Sequence, residues 1–260
     1  VMDIIDIRKE LIRVKKRLLR LHYEKKIGHV GGNLSCIDLM VVLFHDILKS
    51  SDKFVLSKGH SAGAYYCALW SRGLITEEQL ESFHQEGTLF PGHVPYYGLP
   101  HLDFGTGSLG HGLPLAIGTA MGLSRNHQDG HVYCILSDGD LNEGSTWEAL
   151  LFLQQCHIRN LSIIVDSNKL QGFDFTTDVM SPLSLIKNFD KEIFDVIELD
   201  GHNLEAIVRG LKEQVNKTKI MIANTIKGNG IPGFENTIAS HYLPLSEDLY
   251  KKALEKVEAL

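Results

Sequence analysis

Two short apolar runs, Val132–Leu136 and Leu161–Val165, stand either side of a segment with helical character and constrain this chain more than any other feature. Each run stops abruptly in a polar turn, Ser137-Asp138-Gly139 after the first and Asp166-Ser167-Asn168 after the second. A strand, a crossover helix and a second strand need about this much chain, and the connection makes the strands parallel. The expected fold is therefore α/β, a parallel sheet flanked by helices on both faces. The pattern also places a carboxylate, Asp138, and a carboxamide, Asn168, just beyond the carboxyl ends of two strands, where open α/β sheets bind ligands. Two oxygen ligands beside a tight Gly turn, whose N–H groups can face a phosphate, suggest a Mg²⁺-bridged diphosphate.

Two other readings fit parts of the same stretch. Asp138-x-Asp140-x-Asn142 imitates the start of an EF-hand loop, but Glu143 stands at the sixth position and Ala149 at the twelfth, where Gly and a bidentate Glu are required. Asp138 and Asn168 could also be ordinary turn residues, a reading that suits either one alone better than both together.

The rest of the chain supplies further elements. Ile4, Ile7, Leu11, Val14, Leu18 and Leu21 repeat at helical spacing, predicting one amphipathic helix over 3–26. Gly28-His29-Val30-Gly31-Gly32 breaks it, and Asn33 or Ser35 is expected to cap a second helix over about 36–48. Gly105-Thr106-Gly107-Ser108-Leu109-Gly110 contains a literal dinucleotide fingerprint, yet no apolar strand precedes it, so the context fails. Residues 172–183 read as a loop over the site. A strand at Phe194–Glu198, a helix at Leu204–Asn216 capped by Asn203, a strand at Lys219–Asn224 and a helix at Glu247–Leu260 complete the order. The expectation is a single unit over 1–260, with helices 1–27 and 245–260 as extensions.

Composition excludes several functions. At 43% hydrophobic residues the chain can bury a large core, and its net charge of −6 arises from mixed signs, which argues against nucleic acid or membrane as a partner. Cys36, Cys67, Cys134 and Cys156 show no metal or CxxC spacing. With no apolar signal region and no run expected to span a bilayer, these read as reduced packing residues in a cytoplasmic protein.

Several segments together resemble the transketolase family. Asp138-Gly139 followed thirty residues later by Asn168, with Glu143-Gly144-Ser145-Thr146-Trp147-Glu148-Ala149 between, is similar to its thiamine-diphosphate motif. His29 sits in a Gly-His-x-Gly pattern, His60 ends Asp52-Lys53-Phe54-Val55-Leu56-Ser57-Lys58-Gly59-His60, and His93 ends Pro91-Gly92-His93. Gly105 to Gly112, Thr225-Ile226-Lys227-Gly228-Asn229-Gly230 and His241 match later family segments. The resemblance implies the diphosphate-binding domain of the thiamine-diphosphate fold, with thiamine diphosphate and Mg²⁺ (or Ca²⁺ or Mn²⁺) as cofactors. It assigns the metal to Asp138, Asn168 and the Leu170 carbonyl. Diphosphate contacts fall to His60, Gly139, Lys227 and His241, and contacts to the pyrimidine side to Gly107, Ser108 and Leu109. Asn168 and Glu143 also belong to the cofactor site, and Glu143 with Glu148 is implied to link paired sites; the alternative for those two is charge complementing a helix N-terminus. His29, His60, His93 and His241 would handle substrate hydroxyl protons.

The resemblance runs from about His29 to His241 and covers only the diphosphate-binding part of a transketolase. It implies one component of a two-chain enzyme that moves a two-carbon ketol unit from a ketose, expected to be a sugar phosphate, to an aldehyde acceptor. The partner would be a C-terminal chain carrying the pyrimidine-binding domain, in an α₂β₂ assembly, without which the chain would be inactive. Val30, Ser137, Asn229 and His111 depart from the family pattern, and the Ser137 hydroxyl is expected near the phosphate. Alternatives are the α subunit of a 2-oxo acid dehydrogenase, a deoxyxylulose-phosphate-synthase-like chain, and a non-catalytic cofactor-binding subunit.

Overall fold

The computed structural model describes residues 2–213 and 215–260. In chain order the elements are α1 (Ile4–Lys25), α2 (Val30–Val42, continued by a π turn Leu43–Ile47), β1 (Lys53–Leu56), α3 (Ala62–Ser71) and α4 (Glu77–Glu81). After a long irregular segment come α5 (Gly112–Arg125), β2 (Val132–Ser137), α6 (Gly144–Cys156) and β3 (Leu161–Ser167). Short helices α7 (Thr176–Val179) and α8 (Leu183–Lys187) lead to β4 (Phe194–Asp200), α9 (Leu204–Lys212), β5 (Thr218–Asn224), α10 (Ala239–Tyr242) and α11 (Glu247–Glu258).

All strand pairs are parallel, in the order β1-β2-β3-β5-β4. Side chains alternate across the pleat, so successive residues enter opposite cores. Phe54, Tyr133, Ile135, Ile164 and Met221 join the core built with α1, α2, α3 and α9. Val55, Cys134, Leu136, Ile163 and Ile220 join the core built with α5 and α6. The α/β expectation with helices on both faces therefore holds. β2 and β3 are buried along their whole length, which is why they read as unbroken apolar runs rather than as alternation.

Three expectations need correction. The second helix begins at Val30, not near 36, because Asn33 and Ser35 do not cap it. Asn33 instead donates to the His29 and His60 carbonyls and accepts from the Ala64 N–H, while Ser35 donates to Asp166. The helix after Asn203 stops at Lys212; within the segment assigned to it, Gln214 lies outside the described residues, as Val1 does for the first helix. Its cap is as expected, with Asn203 Oδ1 accepting from the Ala206 N–H at 2.9 Å. Finally, Val30–Ile47 is a helical stretch long and apolar enough to cross a membrane, contrary to the expectation of none, but 83% of it is buried within the protein. A core helix packed on every side passes the same hydropathy test. Within 172–183, the loop holds the short helix α7, and Leu183 opens α8. All four cysteines are free, and only Cys156 is exposed.

Candidate active site

The register pairs Ser137 of β2 with Asp166 of β3, so the turns that follow the two strands emerge side by side. Asp138 Oδ2 accepts from the Lys169 N–H at 2.8 Å, and Asn168 Oδ1 accepts from the Leu170 N–H at 3.1 Å. Lys169 takes a positive φ of 64°, which bends the chain so that Asn168 and the Leu170 carbonyl face the same space. Lys227, from the turn after β5, donates to that carbonyl at 2.9 Å.

Asp138 is 4% exposed and, among the described residues, forms no ion pair. Burial, and then the nearby Asp166 carboxylate, push its pKa up to about 6 despite the N–H groups it accepts from. A buried carboxylate without an ion-pair partner among the described residues, a carboxamide and a carbonyl form an all-oxygen set suited to a hard cation that keeps part of its coordination for phosphate oxygens. Among the described residues no group of three or more His, Cys, Asp and Glu side chains is placed to hold a metal. The residues present thus fit Mg²⁺ with a diphosphate and do not fit an EF-hand.

Asp140 has a different task. Its Oδ1 accepts from the Ser57 hydroxyl at 2.5 Å and the Gly110 N–H at 2.8 Å, and its Oδ2 accepts from the Ser137 N–H and hydroxyl, both at 2.8 Å. This carboxylate is fully occupied in fastening the 105–112 loop to the β1 and β2 ends. The Ser137 hydroxyl, expected near a phosphate, donates to Asp140, and Ser137 also lines the cavity that holds Asp138 and Gly139. Gly110, at φ 78°, is required: a Cβ there would lie 2.5 Å from Glu143 Cβ.

Four imidazoles converge on the same space. His29 sits before α2 with φ 62°, and its N–H donates to the His241 carbonyl at 2.8 Å. Its ring centroid lies 4.8 Å from that of His241, 5.8 Å from His60 and 6.3 Å from His93. Gly28 and Gly31 permit the approach, since a Cβ at either would come within 2.4 Å of Tyr242 O or Ser240 Oγ. Burial lowers the pKa of all four, most clearly His60, while burial with the Lys227 charge brings His241 down to about 3. They are neutral imidazoles at neutral pH, each with one donor and one acceptor nitrogen. Lys227 is buried and, through burial and then repulsion from Lys58, is lowered to about 8.

These groups line a cavity of about 320 Å³. It brings together His29, His60, His93 and His241 with Asp138, Gly139, Asn168, Leu170 and Lys227, and Gly107 and Leu109 line it too, beside His93 and Gly139. Two candidates are outside it. Ser108 is exposed and turned to a separate crevice, and Glu143 is exposed at the N-cap of α6 without a side-chain capping bond. Glu148, one turn on, is exposed as well.

Sequence reasoning missed several residues around the site. Gln171, Phe173 and Tyr242 also line the cavity. Phe173 is 74% exposed, and an aromatic residue in a polar loop was the available signal. Beneath the site Lys58 and Asp166 form an ion pair with no solvent exposure, to which Ser35 and Thr225 donate hydroxyls and Gly32 lends a carbonyl. Burial acts against both charges, but their attraction outweighs it, leaving Lys58 raised and Asp166 lowered. A second buried set, Lys15, Asp38 and His202, supports the Lys227 turn: His202 Nε2 accepts from the Ile226 N–H at 2.9 Å, and Asp38 lies 3.5 Å from its Nδ1. Nothing in local spacing marks either set.

A parallel α/β sheet that presents an oxygen ligand set, a glycine-lined wall and a buried lysine at its carboxyl edge has the features of a thiamine-diphosphate-binding domain. The chain belongs to the transketolase family: the profile described as "Transketolase, thiamine diphosphate binding domain" matches residues 9–258. It is 33% identical over 255 residues to one of the subunits of the apulose-4-phosphate transketolase of Phocaeicola vulgatus, covering 94% of this chain and 90% of that one. It is 32% identical over 267 residues to a 6-deoxy-6-sulfo-D-fructose transketolase subunit of a Clostridium species, covering 98% and 97%. Among solved structures, the transketolase of Campylobacter jejuni superposes with a TM-score of 0.88 at 28% identity over 99% of this chain. Only 43% of that longer transketolase is covered, so the chain spans less than half of it.

Proposed function

We propose that this chain is the cofactor-holding subunit of a two-chain transketolase, which transfers a two-carbon ketol unit from a ketose to an aldehyde. The observation that carries the reading is the convergence of Asp138, Asn168, the Leu170 carbonyl, Lys227 and four neutral imidazoles on one cavity. Similarity along nearly the whole length of two transketolase subunits supports it. Asp138, Asn168 and the Leu170 carbonyl hold Mg²⁺. Lys227, the Gly139 N–H, His60 and His241 hold the diphosphate, and Gly107 with Leu109 leaves a flat wall for the pyrimidine side. Thiamine diphosphate bound there supplies the nucleophilic carbon and electron sink that carbon–carbon cleavage needs.

The chain's own residues orient the sugar and move its protons. A neutral imidazole in the channel can accept the proton of a ketose hydroxyl as the C–C bond breaks and return one to the acceptor's oxygen. Phe173 and Tyr242 also line the cavity and are exposed to solvent. The partner is a C-terminal chain with the pyrimidine-binding domain, in an α₂β₂ cytoplasmic assembly, and the exposed Glu143 and Glu148 are available to link its paired sites. The two relatives are named for a sugar phosphate and a sulfosugar, which supports a ketose with a terminal anionic group as substrate.

Calorimetric titration of thiamine diphosphate with Mg²⁺ into the chain, alone and with the partner, tests this. Binding strengthened by the partner and lost in Asp138→Ala is the expected result. No binding in either setting would sink the cofactor assignment.

A further inference from the structure

A second cavity, of about 230 Å³, adjoins the first and shares His29, His60, His241 and Tyr242 with it. Its far wall is made by His22 from the last turn of α1, Gly63 from α3, and Phe83 and His84 from the segment after α4. His22 is 1% exposed, and neither ring nitrogen has a hydrogen-bond partner among the described residues. Burial, only partly relieved by the Ile27 and Gly28 backbone, lowers its pKa to about 4, so it does not serve as a charged cap on its helix. Gly63 keeps the ring open to the space, since a Cβ there would sit 2.8 Å from His22 Nε2. The Nδ1 atoms of His29 and His241 are also buried without partners among the described residues.

An unsatisfied buried polar atom costs about 1–3 kcal/mol, so three such imidazoles facing adjoining space are matched to something that bonds them. Among the described residues, no Lys, Arg, Asp or Glu lines this chamber. Nothing in it neutralises a phosphate or sulfonate, whereas a neutral imidazole, with one donor and one acceptor, complements a hydroxyl that is both. We propose that this chamber binds the uncharged polyhydroxyl stem of the sugar, with His22 and His84 as its specificity-determining residues, and that the sugar's anionic end lies outside it. The chamber's place as the distal end of the substrate channel rests on the transketolase reading. Its affinity for a polyol does not.

The test has two arms. In the first, ribitol, an uncharged five-carbon polyol, is titrated into the full chain with ¹⁵N-labelled histidines. The His22 and His84 resonances are expected to shift, and the remaining shift at His84 to vanish in His22→Leu. His84→Ala, at an exposed position, should weaken binding too. Melting of His22→Leu should match or exceed that of the parent chain, because an apolar group replaces an unsatisfied one. In the second arm, with partner and cofactor, the ratio of KM for ribose to KM for the two-carbon acceptor glycolaldehyde should rise about tenfold or more in His22→Leu. No resonance shift at any attainable ribitol concentration overturns the proposal, as does an unchanged KM ratio, which would leave the chamber holding water only. Ribitol binding without sugar transfer by the parent assembly would instead refute the transketolase reading and leave the chamber standing.

Discussion

Replacing Lys15 by Met removes one half of a buried ion pair and tests how the helix layer supports the site. Lys15 on α1 lies 3.0 Å from Asp38 on α2, with exposures of 3% and 1%, so water cannot take the place of the lost ammonium. An uncompensated buried carboxylate costs about 3–5 kcal/mol. At roughly 2–4 °C per kcal/mol for a chain of this size, Tm should fall by about 6–20 °C. In the parent chain burial raises Asp38, but Lys15 and His202 together outweigh it and hold the carboxyl below its usual range. That pair therefore adds stability above the unfolded-state pKa, lost as pH falls through the folded one. In Lys15→Met burial is opposed by His202 alone, so the folded pKa of Asp38 rises relative to the parent chain, and the penalty should shrink as pH falls and Asp38 takes up a proton. Urea unfolding followed by the fluorescence of Trp70 and Trp147, at neutral and acid pH, measures this. Lys15→Met/Asp38→Asn should recover more than half of the loss, since Asn still faces His202. A loss below about 1 kcal/mol, the range of solvated pairs, or a penalty that does not change with pH, would refute the reasoning.

Other predictions concern the site's supports. His202→Leu strips the Ile226 N–H of its acceptor and should cost about 1–3 kcal/mol, with faster hydrogen exchange at Ile226 and weaker thiamine-diphosphate binding through the displaced Lys227 turn. His202→Gln, which offers an acceptor, should restore part of both, and equal loss in the two variants would count against the role. Gly110→Ala combines a positive φ with a Cβ 2.5 Å from Glu143 Cβ and should destabilise by more than about 2 kcal/mol in urea titration. Gly73→Ala, at φ 68° with nothing within 4 Å of the added Cβ, should cost only about 1–2 kcal/mol. Equal costs would mean that the 105–112 loop is free to shift.

The sequence by itself determined the sheet's central strands and the ends at which its chemistry sits. β2 and β3 are buried on both faces, so continuous apolar runs report them directly, and the polar residues that stop those runs are Asp138 and Asn168. The amphipathic helices α1 and α11 were legible for the same reason, each showing one face to water. His29, His60 and His93, each after a glycine, and His241 were marked by family resemblance, and the fold gathers all four of them. Tertiary structure alone decided the rest. All thirteen residues of α2 are buried, so it carries no helical periodicity, and its capping-type residues Asn33 and Ser35 make long-range bonds. Lys58 meets Asp166 across more than a hundred residues, and Lys15 on α1 meets Asp38 on α2, which in turn meets His202 from the turn after β4. Such pairs are set by where packed elements cross, and no local spacing encodes that crossing. The same holds for Ser108 and Glu143, neighbours in sequence of site residues that the backbone turns away from the cavity, and for His22, which reads as one more polar residue of α1 until α3 and the segment after α4 close over it.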